Sequence, residues 1–264
     1  KLVVDFDDAA LKTFANNHVN AVAQKLDLFN LDNVVEIKNI LTKLGTEQLD
    51  VLIGGPPCQG FSLAGNRIES DERNALYTAM VKTAELLKPR VVLLENVPGM
   101  LTLYKGKVKQ RIFEDFENLG YTMNVKVLYA PEYGIPQIRK RAFFIGLLDS
   151  NEKFEYPEPI LNEDDFITCE QAISDLPGLE NDDDYSLDKT REYVSNPKTE
   201  YQKKMREKSQ KVYNHVPTKH IQKTIDHIKL VPDGGKYTDL PPEWCCQEFR
   251  VTYYQGGREL SLNT

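Results

Sequence analysis

Cysteine is scarce in this chain. Cys58, Cys169, Cys245 and Cys246 are the four among 264 residues, and no pair has CxxC spacing. A zinc site is therefore not expected, since the adjacent Cys245-Cys246 makes a poor chelate and is expected to pack against Trp244 or lie near the surface. His215, His220 and His227 add no ligand spacing either, so no metal is expected. No run of 18 apolar residues occurs, which excludes a membrane-spanning helix, and no signal-peptide pattern opens the sequence. The expectation is a soluble, intracellular protein with no membrane partner. Positive charge is short as well, with 33 Lys and Arg against 40 Asp and Glu and a net charge of -7. That balance argues against a nucleic-acid partner until its distribution is read. Residues 152–192 hold 14 acids and 3 bases, a net of -11, while residues 198–231 hold 9 bases and 3 acids, a net of +6. A local basic face matters more to phosphate than the sum over the chain.

What is present is chemistry at the ends of apolar strands. Val51–Ile53 reads as a buried strand that Gly54-Gly55-Pro56-Pro57 ends abruptly. Cys58 follows on a loop at the strand's carboxyl end, where open α/β sheets place their ligands. The two prolines stiffen the approach, and Gly60, Phe61, Ser62 and Gly65 make a small-residue loop able to close over a substrate. A second strand, Val91–Leu94, delivers Glu95-Asn96-Val97 in the same way. Further on, Gln137-Ile138-Arg139-Lys140-Arg141 precedes the apolar run Ala142–Leu148, and alternation puts Gln137, Arg139 and Arg141 on one face.

Taken in order, PPCQGFS, ENV and QIRKR resemble the DNA cytosine-5 methyltransferases. The resemblance runs strongly from about Leu2 to Leu148 and more loosely beyond. It implies an α/β fold: a Rossmann-like S-adenosylmethionine-dependent methyltransferase sheet with a smaller C-terminal target-recognition region. Residues 1–156 are expected to form the catalytic and cofactor-binding domain, and residues 157–264 the linker and recognition region. Two family segments are missing, the glycine-rich cofactor turn upstream of Leu2 and the C-terminal Gly-Asn-Ser segment.

Along the chain, Leu2–Val4 predicts a strand and Asp8–Asn17 a helix capped by Asp7 or Asp8. Asp5 and Phe6 match the acidic and aromatic residues that hold the ribose and adenine of S-adenosylmethionine in the family. Val34–Ile37 predicts a strand, with Glu36 and Ile37 as the acidic-apolar pair for the adenine and Asn39-Ile40 as a rival alignment. Glu72–Leu87 predicts a helix with Leu76, Met80, Ala84 and Leu87 on a stripe. Leu76 and Pro57 are then cofactor contacts by resemblance. Arg111–Leu119 predicts a helix ending at Gly120, and Val125–Leu128 with Ala142–Leu148 the last strands. Tyr201–Lys211 predicts a basic helix whose Lys204, Lys208 and Lys211 share a face toward DNA phosphates.

The resemblance implies transfer of a methyl group from S-adenosylmethionine to C5 of cytosine in double-stranded DNA, leaving S-adenosylhomocysteine. Cys58 would add to C6, Glu95 would serve N3, Arg141 or else Arg139 would hold O2, and Gln137 would support that segment. Gln59, Ser62 and Arg67 would hold the distorted backbone around a flipped base. The expected setting is a monomeric microbial modification enzyme in the cytoplasm, associated with the nucleoid and paired in function with a restriction endonuclease. In a eukaryote it would be nuclear. A tRNA-methylating branch of the family and a non-catalytic DNA-binding derivative remain alternatives.

Overall fold

The computed structural model describes residues 1–57, 75–179, 190–232, 235, 239–240, 253–255 and 258–260. Near its start, Asp7 nucleates the first helix, α1 (Asp8–Asn17), by accepting the Ala10 amide on its carboxylate at 2.8 Å. The helix connects two parallel strands, β1 (Leu2–Asp5) and β2 (Val22–Lys25), which pair with Asp5 opposite Lys25.

The segment expected to be a strand at Val34–Ile37 is instead inside a helix, α2 (Asn33–Lys43). Its buried residues Val34, Ile37 and Leu41 recur at helical spacing, and that period outweighs the β-branched run. The strand in this part of the chain is β2, whose four residues were too few to stand out.

The main sheet has the order β3-β4-β6-β5. β3 (Val51–Gly54) lies parallel to β4 (Val91–Asn96), and β6 (Lys140–Leu148) runs antiparallel to both β4 and β5 (Tyr121–Tyr129). Helices α3 (Ala75–Leu87) and α4 (Lys107–Glu117) supply the apolar residues that cover it. Ile112, Phe116 and Phe144 are fully buried in this core, each worth about 1.5–3 kcal/mol of transfer free energy. Near one end of the β4–β6 ladder, Gly146 leaves no room for a side chain: a Cβ there would lie 2.5 Å from the Met123 sulfur and 2.8 Å from Val92. Residues 156–166 run along β5 and β6, with the Tyr156 hydroxyl donating to the Phe143 carbonyl at 2.7 Å and Phe166 edge-on to Tyr129. Because of that strap the chain divides into compact units at Lys1–Cys169 and Glu170–Thr264, later than the 156/157 boundary read from composition.

Between β4 and α4 the chain makes a left-handed turn. Tyr104, Lys105 and Gly106 have φ of 50°, 59° and 85° in succession. For Tyr104 and Lys105 that conformation costs about 1–2 kcal/mol each, and only the glycine adopts it freely. Met100 and Val108, both buried, pin the chain on either side.

The second unit holds α5 (Cys169–Ile173), α6 (Glu200–Arg206), α7 (Gln222–Leu230) and a hairpin of β7 (Tyr253–Gln255) with β8 (Arg258–Leu260). Its polar centre is buried Asp175, which Arg206 reaches at 3.2 Å while stacking on Tyr193 at 3.7 Å. Buried Gln202 accepts the Lys198 amide and donates to Ser174. The basic helix is thus shorter than Tyr201–Lys211. It ends at Arg206 because the following residues turn so that buried Val212 can bridge to Arg191. Lys208 and Lys211 lie beyond it, and Lys211 pairs with Glu192 at 3.3 Å, so Lys204, Lys208 and Lys211 form no single helical face.

Candidate active site

The parallel pairing of β3 with β4 sets Gly54 opposite Leu94, so Gly55 leaves the end of β3 beside Glu95, which is still in β4. A Cβ added at Gly55 would lie 3.5 Å from Glu95 Oε2, which shows that this oxygen faces the turn. The other oxygen, Oε1, meets Arg141 Nε at 2.8 Å and lies 4.0 Å from Arg139 Nη2. Antiparallel pairing explains the meeting. β6 begins where β4 ends, with Asn96 opposite Ala142 and Glu95 opposite Phe143, so the alternating arginines arrive at the same rim. Arg141 also donates to the Lys140 carbonyl at 2.8 Å and is the more enclosed of the two, its side chain 24% exposed against 46% for Arg139. Gln137 precedes the strand in an exposed bend, where its amide donates to the Ile135 carbonyl at 2.7 Å.

One residue at this rim escaped the sequence reading. Buried Asn96 donates from Nδ2 to the Pro56 carbonyl at 2.7 Å and accepts the Val97 amide at 2.9 Å. It fastens the end of β4 to the turn that carries Pro57 toward Cys58. A polar residue completing an apolar strand beside Glu95 was the available signal. Cys58, Gln59, Ser62 and Arg67 themselves lie outside the described residues.

α3 opens with half-buried Leu76, followed by Tyr77, which is 6% exposed. The Tyr77 hydroxyl donates to Asp115 at 2.9 Å, and Arg111 holds the same carboxylate at 2.8 Å. Burial first, and the Asp115 charge second, push the Tyr77 hydroxyl far above the usual phenol range. This neutral phenol ties the start of α3 to α4.

At the other sheet, Asp5 ends β1. Its carboxylate accepts the Asp7 amide at 2.9 Å, and half-exposed Phe6 follows it. Glu36 and Ile37, being helical, point apart: Ile37 is buried, whereas Glu36 is half-buried and accepts from Asn39 at 3.1 Å. They cannot act as a pair, and the rival Asn39-Ile40 lies on the same helix. The acidic-apolar pair at a strand end is Asp27-Leu28, just past β2, where Asp27 accepts the Phe29 amide at 2.9 Å. Since the Leu26 amide donates to the Asp5 carbonyl at 3.0 Å, the carboxyl ends of the two parallel strands keep together. Two carboxylates and an exposed ring at such ends suit the hydroxyls and base of a nucleoside. Among the described residues no group of acids, histidines and cysteines is placed to hold a metal.

Comparison with known proteins gives the family. The chain is 36% identical over 248 residues to the Type II methyltransferase M.DdeI of Desulfomicrobium norvegicum, covering 92% of this chain and 58% of that protein. It is 32% identical over 243 residues to the Type II methyltransferase M1.HphI of Haemophilus parahaemolyticus, covering 91% and 57%. It therefore spans a little under three fifths of the length of these relatives. Its fold matches a crystal structure described as a DNA modification methyltransferase encoded within a prophage (E. coli), with a TM-score of 0.68 at 24% identity over 88% of this chain and 68% of the other. The family model for C-5 cytosine-specific DNA methylases matches residues 2–252, and the chain belongs to that family.

Proposed function

We propose that the protein transfers a methyl group from S-adenosylmethionine to C5 of cytosine in a specific duplex DNA sequence, as a modification enzyme of a restriction system. The observation that carries this reading is Glu95 clasped by Arg141 beside the Gly55-Pro56-Pro57 turn, within a chain of the cytosine-specific family. Cytosine C5 is a poor nucleophile until a thiolate adds to C6 and makes it enamine-like, and Cys58 is the residue for that addition. Charge building on the ring falls at N3, where Glu95 Oε2 shares a proton, and the remaining Arg141 donors reach O2. Arg141 therefore holds the acid and the base at once. Arg139 stands at the rim as the second contact, with Gln137 supporting the segment. The cofactor supplies an electrophilic methyl group when bound, and Asp5, Phe6, Asp27, Leu28, Pro57 and Leu76 are the residues to hold it. After transfer a base removes the C5 proton and the thiolate leaves.

None of this is possible inside a stacked duplex, so the cytosine is flipped out at a cost of a few kcal/mol. Gln59, Ser62 and Arg67 steady the opened strand. Residues 170–264 belong to target selection, and the enzyme acts in the cytoplasm as a monomer that needs the endonuclease in function only. Expressing the full-length gene and bisulfite-sequencing the host DNA tests the reading. Protected cytosines in one sequence context support it, and host DNA unchanged under expression of soluble protein refutes it.

A further inference from the structure

The stretch from Pro98 to Phe113 carries four bases, Lys105, Lys107, Lys109 and Arg111, and no acid, in a chain whose net charge is -7. Two of the four are occupied: Arg111 pairs with Asp115 at 2.8 Å, and Lys109 lies over the Phe113 ring at 5.5 Å. Lys105 and Lys107 are exposed, and among the described residues neither has an ion-pair partner within 4 Å. They are also held in place. Leu101 and Leu103 pack on the core before them, Val108 is buried after them, and the left-handed turn at Tyr104, Lys105 and Gly106 fixes the backbone between. The turn follows β4 directly, nine residues after Asn96 at Lys105, and so belongs to the carboxyl edge of the sheet that carries Glu95.

We propose that Lys105 and Lys107 form a phosphate-binding edge for the duplex whose cytosine enters the site. The inference rests on the DNA-methylating reading above and adds to it the face that grips the backbone. Two ammonium groups with no ion-pair partner among the described residues, one on the left-handed turn and one opening α4, suit successive phosphates, and their fixed backbone leaves little main-chain freedom to lose on binding. A solvated lysine pair would need neither the left-handed turn nor the apolar anchors around it. The edge takes the place of the Lys204, Lys208 and Lys211 face that the short α6 dissolves.

The test uses the full-length protein and its Lys105→Gln/Lys107→Gln variant, with Lys43→Gln on α2 as a control cation. Binding of a short duplex is followed by fluorescence anisotropy across a salt series, beside methyl transfer to unmethylated genomic DNA. Each lost phosphate contact removes about 0.9 from the log–log salt slope, so the double variant should flatten it by roughly 1.8 and weaken binding about 10- to 60-fold near 0.1 M salt. Cognate and non-cognate duplexes should weaken alike, KM for DNA should rise, and the KM for S-adenosylmethionine should not move. Lys105→Glu/Lys107→Glu should weaken binding further. An unchanged slope in the Gln variant, or an equal change in Lys43→Gln, overturns the edge while the wild type still methylates. A wild type that binds duplex but methylates no cytosine refutes the underlying function, and the edge falls with it as a feature of that reaction.

Discussion

Asn96→Leu isolates the fastening between strand and turn. The substitution keeps the side-chain volume nearly constant while removing two hydrogen bonds, the 2.7 Å bond to the Pro56 carbonyl and the 2.9 Å bond from the Val97 amide. Pro56 is buried, so its carbonyl loses its partner without gaining water, at about 1–3 kcal/mol. Val97 is 39% exposed, so its amide is partly rehydrated and loses about 0.5–1 kcal/mol. The expected destabilisation is about 1.5–4 kcal/mol, read as a lower urea midpoint with an unchanged slope. Releasing Pro56 also loosens the approach to Cys58, and a misplacement near 1 Å costs about 100-fold in rate. The loss should fall on kcat, with KM for the cofactor preserved. Asn96→Asp should do no better, since a carboxylate then faces the Pro56 carbonyl. A variant whose unfolding free energy and kcat both match the wild type would refute the argument.

Cys58→Ser should abolish methyl transfer, and a 5-fluorocytosine duplex with cofactor should trap the wild type as a denaturation-resistant adduct at Cys58. An adduct at Cys169, Cys245 or Cys246 would overturn that assignment. Asp5→Ala should weaken S-adenosylmethionine binding by about 1–3 kcal/mol in calorimetry, whereas Glu95→Gln should leave affinity alone and slow transfer. The reverse pattern would exchange the two roles. Asp175→Ala should cost about 3–5 kcal/mol, because it leaves Arg206 largely buried and unpaired. Thermal melts of the second unit's signals would show it, and a near-neutral change would place the weight of that unit elsewhere. Burial pushes the phenols of Tyr121 and Tyr156 up to about 12 from an ordinary value of 10.0. A raised folded value means stability intact below pH 10.0 and lost as pH climbs toward about 12, where the unfolded chain has already released those protons. Flat unfolding midpoints across that window would contradict the burial.

The first helix and its Asp7 cap, the strands β4 and β6, and the helix before Gly120 were legible, because each carries either a cap, a turn or a long periodic run. β3 forms as expected but is not buried, since it is the edge strand of its sheet and leaves Val51 45% and Ile53 69% exposed. What misled was shortness. Val22–Lys25 is four residues of mixed character, and Val34–Ile37 presents a β-branched tetrapeptide whose helical period appears only when Leu41 is counted. From that single error the Glu36 and Ile37 pairing followed, and Asp27 was passed over. The basic helix failed for another reason. Arg206 turns inward to an acid 31 residues earlier, a long-range pairing that no local pattern announces. The Glu95 and Arg141 contact was equally non-local, yet strand ends made both residues conspicuous. Asn96 was harder, since its partner is a backbone carbonyl 40 residues away.

The antiparallel ladder between β4 and β6 acts as a ruler for the chemistry. Glu95 and Arg141 meet because one register holds over six paired positions, from Val91 opposite Leu147 to Asn96 opposite Ala142. A slip of a single residue would turn both arginines to the other face of the sheet. A small change within the ladder therefore cannot be ignored. Gly146, opposite Val92 at the far end from Glu95, is where the ruler is most easily bent. Even an alanine there would press on Met123 and Val92 and shift the alignment of an acid and a guanidinium it never touches.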